Sequence, residues 1–144
     1  MDIGNVVAGM CVECLLCIAA YIDIRNKMLP VALLAGAGIL GVPVYLASRQ
    51  FGLVSLCAGV AVGVAMFVVS YLTHGGIGIG DGGVLCVTGV YLGFYRNIIM
   101  FLTALILAAV WSVILLITKR AGRKTEIPFV PFLLVAHTVL LFGM

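Results

Sequence analysis

Charge is what this sequence has least of. Only 9 % of its 144 residues are Asp, Glu, Lys or Arg, against roughly 25 % in an ordinary soluble domain. Hydrophobic residues make up 65 % and the mean hydropathy is +1.34. This scarcity excludes a soluble globular fold. The stretches 28–48, 50–80, 82–95, 97–118 and 127–144 contain no charged side chain at all, and most are long enough to cross a bilayer. Six spans of about 20 residues use about 120 positions, which leaves no room for a water-soluble domain. The chain therefore reads as all-α, a polytopic membrane protein with six transmembrane helices in one domain over 1–144. The net charge of +3 comes from basic residues in short loops, with no patch of interleaved aromatics, so nucleic acid is excluded as a partner. Membrane lipids are the expected surroundings.

Hydropathy places the helices at Ile3 to Ile22, Leu29 to Ala47, Phe51 to Thr73, Ile79 to Tyr95, Ile98 to Thr118 and Ile127 to Met144. The fourth is unusual, because its strictly apolar part, Val84 to Tyr95, is only about 18 Å long at the helical rise. It reaches across about 30 Å of hydrocarbon only by drawing in Asp81 and the glycines before it. The first apolar segment lacks a basic leader, contains Glu13 and runs on into a second span, so a cleavable signal peptide is not expected.

Lys and Arg set the orientation. With the N-terminus outside, the cytoplasmic loops hold Arg25, Lys27, Lys119, Arg120, Arg123 and Lys124, and the outer loops only Arg49 and Arg96. Both termini are then outside. The turn from Asp23 to Pro30, the glycine-rich turn from His74 to Gly83 and the loop from Lys119 to Glu126 face the cytoplasm.

An ionised carboxylate inside a bilayer costs about 2.5–3.5 kcal/mol or more, so each one in a span is a functional candidate. Glu13, Asp23 and Asp81 qualify. Asp23 closes the first span and Asp81 opens the fourth, both at the cytoplasmic boundary, so the two can face each other. Like charges held close cannot both ionise, so one carboxyl keeps its proton while the other stays anionic. Such a pair can activate a water and protonate a leaving group, which is general acid–base hydrolysis. Alone, Asp23 could equally be an interfacial acid paired with Arg25 or Lys27. Asp81 lies in Gly78-Ile79-Gly80-Asp81-Gly82-Gly83, with no cation in the run, where glycines let backbones approach the carboxylate closely.

These residues resemble a family. Gly78-Ile79-Gly80-Asp81 is similar to the GxGD motif of the membrane aspartyl proteases. Asp23-Ile24-Arg25 followed by Pro30 resembles the Asp-x-Arg-x4-Pro turn of the type IV prepilin peptidases and the archaeal preflagellin peptidases. Glu126-Ile127-Pro128-Phe129-Val130-Pro131-Phe132 resembles the Pro-Phe-x-Pro-Phe segment that opens their last helix. The resemblance is to the short form, without the N-terminal extension that goes with methyltransferase activity. It departs from the family at Gly83, where many members carry Lys, and at Val31, where many carry Asn.

The resemblance implies a membrane-embedded aspartic endopeptidase of the inner or plasma membrane, with its active site at the cytoplasmic face. It would remove the short basic leader of a prepilin-like substrate, with Asp23 and Asp81 as the catalytic pair and no cofactor or metal. Gly78, Gly80, Arg25 and Pro30 support the motifs, and Glu126, Pro128, Phe129 and Pro131 are candidates for substrate contact. Glu126 either complements the dipole of the last helix or attracts a basic leader residue. The alternatives are another GxGD protease, of the presenilin or signal-peptide-peptidase type, and a small proton-coupled transporter, which would also hold acids at membrane depth.

The remaining features read as packing. Cys11, Cys14 and Cys17 have a C-x2-C-x2-C rhythm inside an apolar helix with no fourth ligand in view, so they are expected to act as small hydrophobes, as are Cys57 and Cys86. Ser55, Gly59 and Gly63 form a small-residue ridge on the third helix that lets a neighbouring helix come close. His74 and His137 are expected to be structural, and Glu13 to bond to a neighbouring helix or to line a substrate channel.

Overall fold

The computed structural model describes residues 3–26, 29–48, 51–73, 78–118 and 127–143. They form five α-helices and no strand: α1 Ile3–Asn26, α2 Val31–Ser48, α3 Leu53–Leu72, α4 Ile79–Ile117 and α5 Val130–Gly143. Three of these, α1, α3 and α4, are long and apolar enough to cross a membrane, and α2 and α5 are shorter apolar helices. Large apolar side chains such as Ile39, Leu40, Val68, Ile106 and Val113 point outward, a surface suited to lipid rather than water.

The expected fourth and fifth helices are joined in α4, and the break between them is not at the anticipated turn around Arg96. It falls at Gly93, whose φ of 68° and ψ of −174° leave the helical region. A side chain is strained at that positive φ, and glycine is not. The chain reverses there: Asn97 Nδ2 donates to the carbonyl of Leu85 at 3.0 Å, although 12 residues of straight helix would separate them by about 18 Å. We call Ile79 to Leu92 the first arm of α4 and Phe94 to Ile117 the second. Arg96 and Asn97, expected between helices, lie inside the second arm.

Close contacts define how the helices run. Gly63 lies against Gly82 and Cys86, and Gly59 against Gly89 and Gly93, so α3 is antiparallel to the first arm. The small-residue ridge on α3 is therefore an intramolecular contact: a Cβ on Gly59 would meet the Gly89 carbonyl oxygen at 2.8 Å. Leu29 packs on Gly80, Leu34 on Gly83 and Gly41 on Tyr91, so α2 is parallel to that arm, and the Tyr91 hydroxyl donates to the Ala37 carbonyl at 2.8 Å. Asp23 meets Val130, Glu13 meets His137 and Gly9 meets Leu141, so α5 is antiparallel to α1. The first arm of α4 sits at the centre, and α4 as a whole touches each of the other four helices.

One consequence positions the site. These directions bring the C-terminal ends of α1 and α3 and the N-terminal ends of α2, α4 and α5 to the same end of the bundle. Residues far apart in sequence are thereby gathered at one depth.

The reversal at Gly93 is held by buried polar groups. Asn97, fully buried, donates to the carbonyls of Gly59 and Leu85, each at 3.0 Å, and accepts from the Thr88 hydroxyl at 2.8 Å. The Phe94 N–H, which the break deprives of a helical partner, donates to Ser55 Oγ at 3.1 Å. Every group of the Asn97 amide finds a partner, as burial requires.

Candidate active site

Asp23 lies one turn from the C-terminal end of α1, and Asp81 in the first turn of α4. Both are buried, at 8 % exposure each, at the shared end of the bundle. The Asp81 carboxyl is close enough to Asp23 to feel its charge. A pair of acids brought this near in a desolvated setting is unfavourable when both are ionised.

Each acid has its own support. Gly78 precedes α4 in an extended conformation, φ −61° and ψ 125°, and its carbonyl accepts from the Asp81 N–H at 3.1 Å. A Cβ on Gly78 would stand 3.0 Å from Asp81 Oδ2, so glycine makes room for the carboxyl. Asp81 also sits at the positive end of the helix dipole, where an anion is favoured. Gly80 faces Leu29, where a Cβ would come to 3.1 Å.

Asp23 is held from a third helix. The Val130 N–H donates to Asp23 Oδ2 at 3.3 Å, and the Phe129 N–H approaches the same carboxyl. Local sequence explains why that donor is free. Phe129 starts α5, its carbonyl accepting from Phe132 and Leu133, so the Val130 N–H is one of those that a first helical turn cannot satisfy internally. Pro131, which has no N–H, is tolerated because it falls in that same first turn.

The other expected site residues are spread around this pair. Arg25 is exposed and its guanidinium lies 5.3 Å from the centre of the Tyr21 ring, a cation–π contact rather than a bond to either acid. Pro30 starts α2, its carbonyl accepting from Leu33 at 3.0 Å. Phe129 packs edge-on against Phe101, with centroids 6.2 Å apart. Pro128 is half-buried just before α5. Glu126 and His74 lie outside the described residues. The Val130 N–H is a partner of Asp23 that the sequence does not reveal, since no side chain announces it.

Glu13 stands apart from the two acids, about 15 Å along α1 from Asp23. It bonds to α5, with Oε2 at 2.5 Å from His137 Nδ1 and Oε1 accepting from the Thr138 hydroxyl at 2.6 Å. Of the two readings the sequence left for Glu13, the bond to a neighbouring helix is the one observed, and His137 is its partner. Cys11 packs against the core, while Cys14, Cys17 and Cys57 are exposed.

A family model described as the type IV leader peptidase family matches residues 10–113, a range that includes Asp23 and Asp81 and stops short of the Pro128 to Phe132 segment. No curated protein and no solved structure shows a significant match to the chain.

Proposed function

The chain belongs to the type IV leader peptidase family, and on that premise we propose that it is an aspartic endopeptidase whose catalytic groups are Asp23 and Asp81. The observation that carries this reading is the burial of two carboxyls, 58 positions apart in sequence, at one end of the bundle and near enough for Asp81 to feel the charge of Asp23. One ionised carboxylate takes a proton from the attacking water, and the protonated one polarises the scissile carbonyl and passes its proton to the leaving amine. The two titrate as a unit. This chemistry needs no metal or organic cofactor.

The substrate is a prepilin-like protein whose apolar helix lies in the membrane and whose short basic leader lies at the cytoplasmic surface. Six spans with both termini outside agree with the count of Lys and Arg and with the reversal of α4 at Gly93. In that topology the end of the bundle carrying the two acids faces the cytoplasm. Arg25 and Pro30 shape the turn beside Asp23, and Gly78 and Gly80 the approach to Asp81. Pro128, Phe129 and Pro131, at the start of α5 beside Asp23, contact the substrate, and Glu126, which precedes them in sequence, attracts its basic leader.

Co-expression with candidate prepilins and a gel shift for leader removal tests the reading. Loss of the leader with the wild-type chain and its retention with Asp81→Asn is expected. Purified protein that cleaves no prepilin in detergent would overturn it.

A further inference from the structure

A second polar site lies at the opposite end of the bundle. A cavity of about 40 Å³ opens between α1, α4 and α5, lined by Asn5, Arg96 and His137 together with apolar groups that include Leu140 and Leu141. Asn5 is 18 residues before Asp23, about 27 Å along α1, so this cavity and the two acids sit at opposite faces of the protein. The volume exceeds what one water needs.

Among the described residues, its polar walls carry positive charge without a matching anion. Arg96, half-buried, donates from one guanidinium nitrogen to Asn5 Oδ1 at 3.3 Å and makes no ion pair among the described residues. A guanidinium has five N–H donors, so most of its hydrogen-bonding capacity is unused among the described residues. His137 is 3 % exposed and spends Nδ1 on Glu13, while Nε2 has no partner among the described residues. A buried polar atom without a partner is costly, and here it belongs to a residue that lines a cavity. His137 and Glu13 partner each other, so neither compensates the charge of Arg96, which has no anionic partner among the described residues. Glu13, His137 and Arg96 are the titratable or charged groups of α1, α5 and α4 that face this region.

We propose that this cavity binds a phosphate group, with Arg96, the Asn5 amide and His137 Nε2 as its donors. Arg is suited to such a ligand because its planar fork meets two phosphate oxygens at once. The apolar remainder of the lining, including Leu140 and Leu141, favours a phosphate that carries acyl chains. The membrane interface supplies that as a phospholipid headgroup. The proposal does not depend on the peptidase reading, only on placement in a bilayer.

The test uses the whole protein, purified and delipidated in a detergent without phosphorus. It is titrated with phosphatidylglycerol, with diacylglycerol of the same chains and with inorganic phosphate. Retention is read by native mass spectrometry, and stability by the thermal midpoint. Wild-type protein is expected to keep one phosphatidylglycerol per chain and to gain stability from it, while diacylglycerol gives neither. Arg96→Gln is expected to weaken retention about tenfold or more, as loss of a charged hydrogen-bonding partner does, and Arg96→Lys to restore part of it. Should Arg96→Gln not fold, Asn5→Ala frees the guanidinium without removing a charge and is expected to weaken binding a few-fold. Binding of inorganic phosphate as strong as that of the lipid would support the phosphate site and assign it to the free ion. Equal retention of diacylglycerol, equal retention by the variants, or no binding of either phosphate would overturn it.

Discussion

Val130 and Asp23 are 107 positions apart in sequence, and the backbone N–H of the first donates to the carboxylate of the second at 3.3 Å. An acid near the end of α1 is thus held by the unfilled first turn of α5. An amide donor cannot be deleted by trimming a side chain, so Asp23 keeps this partner whatever residue stands at 130, provided it is not proline. Asp81 owes its setting to its own helix and to the glycine three positions before it. The two carboxyls are unlike in support as well as in position, which suits a pair whose members must differ in protonation.

Asp23→Asn and Asp81→Asn are each expected to abolish cleavage while the protein still accumulates in the membrane. Asn keeps the shape of the side chain and cannot take up or release the proton, and neither acid replaces the other. Wild-type cleavage should fall away at both low and high pH, because the reaction needs one carboxyl charged and one neutral. Turnover near the wild-type rate in either variant would rule out the two-acid mechanism.

Topology is open to direct labelling. In a background free of the five cysteines, single cysteines at positions 25 and 123 are expected to resist an impermeant reagent in intact cells and to react once the membrane is opened. Labelling of position 123 from outside would reverse the orientation inferred from Lys and Arg.

Glu126, the acid before the start of α5, is expected to draw the basic leader by about 1 kcal/mol or less, as exposed ion pairs do. Glu126→Gln should then raise KM a few-fold, most at low salt, and leave kcat largely intact. An unchanged KM, or a loss confined to kcat, would move Glu126 to a structural or catalytic role.

Packing between α3 and α4 predicts a graded series of glycine substitutions. Gly59→Ala places a methyl group 2.8 Å from the Gly89 carbonyl oxygen and 2.9 Å from the Gly93 carbonyl carbon, both backbone atoms that cannot rotate away. The expected cost is about 1–3 kcal/mol, seen as a lower thermal midpoint. Gly36→Ala meets nothing within 4 Å and is expected to leave the midpoint unchanged or slightly raised. Equal midpoints in the two variants would show that the close approach contributes nothing.

How much of this was legible in the sequence differs from residue to residue. Asp23 and Asp81 stood out because a carboxylate in an apolar helix is expensive, and glycines around Asp81 signalled close approach before any contact was known. Glu13 stood out for the same reason, but its partner did not: pairing it with His137 requires the register of α1 against α5, which no local pattern encodes. Polar residues interrupt the apolar run at Arg96 and Asn97, and the sequence therefore predicts the break in α4 there. It occurs at Gly93 because the chain needs a positive φ, and Asn97 is drawn inward to bond the carbonyls on either side. Polarity alone does not distinguish a residue at a turn from one that closes the turn from within.

That closure also bears on how the molecule opens. The Asn97 amide joins the carbonyls of Gly59 and Leu85 and the hydroxyl of Thr88, so neither α3 nor the first arm can separate from the second arm without breaking bonds to Asn97. The three segments form one cooperative unit, and amide hydrogens along them should exchange together, by a single opening with one free energy, rather than by fraying from each helix end.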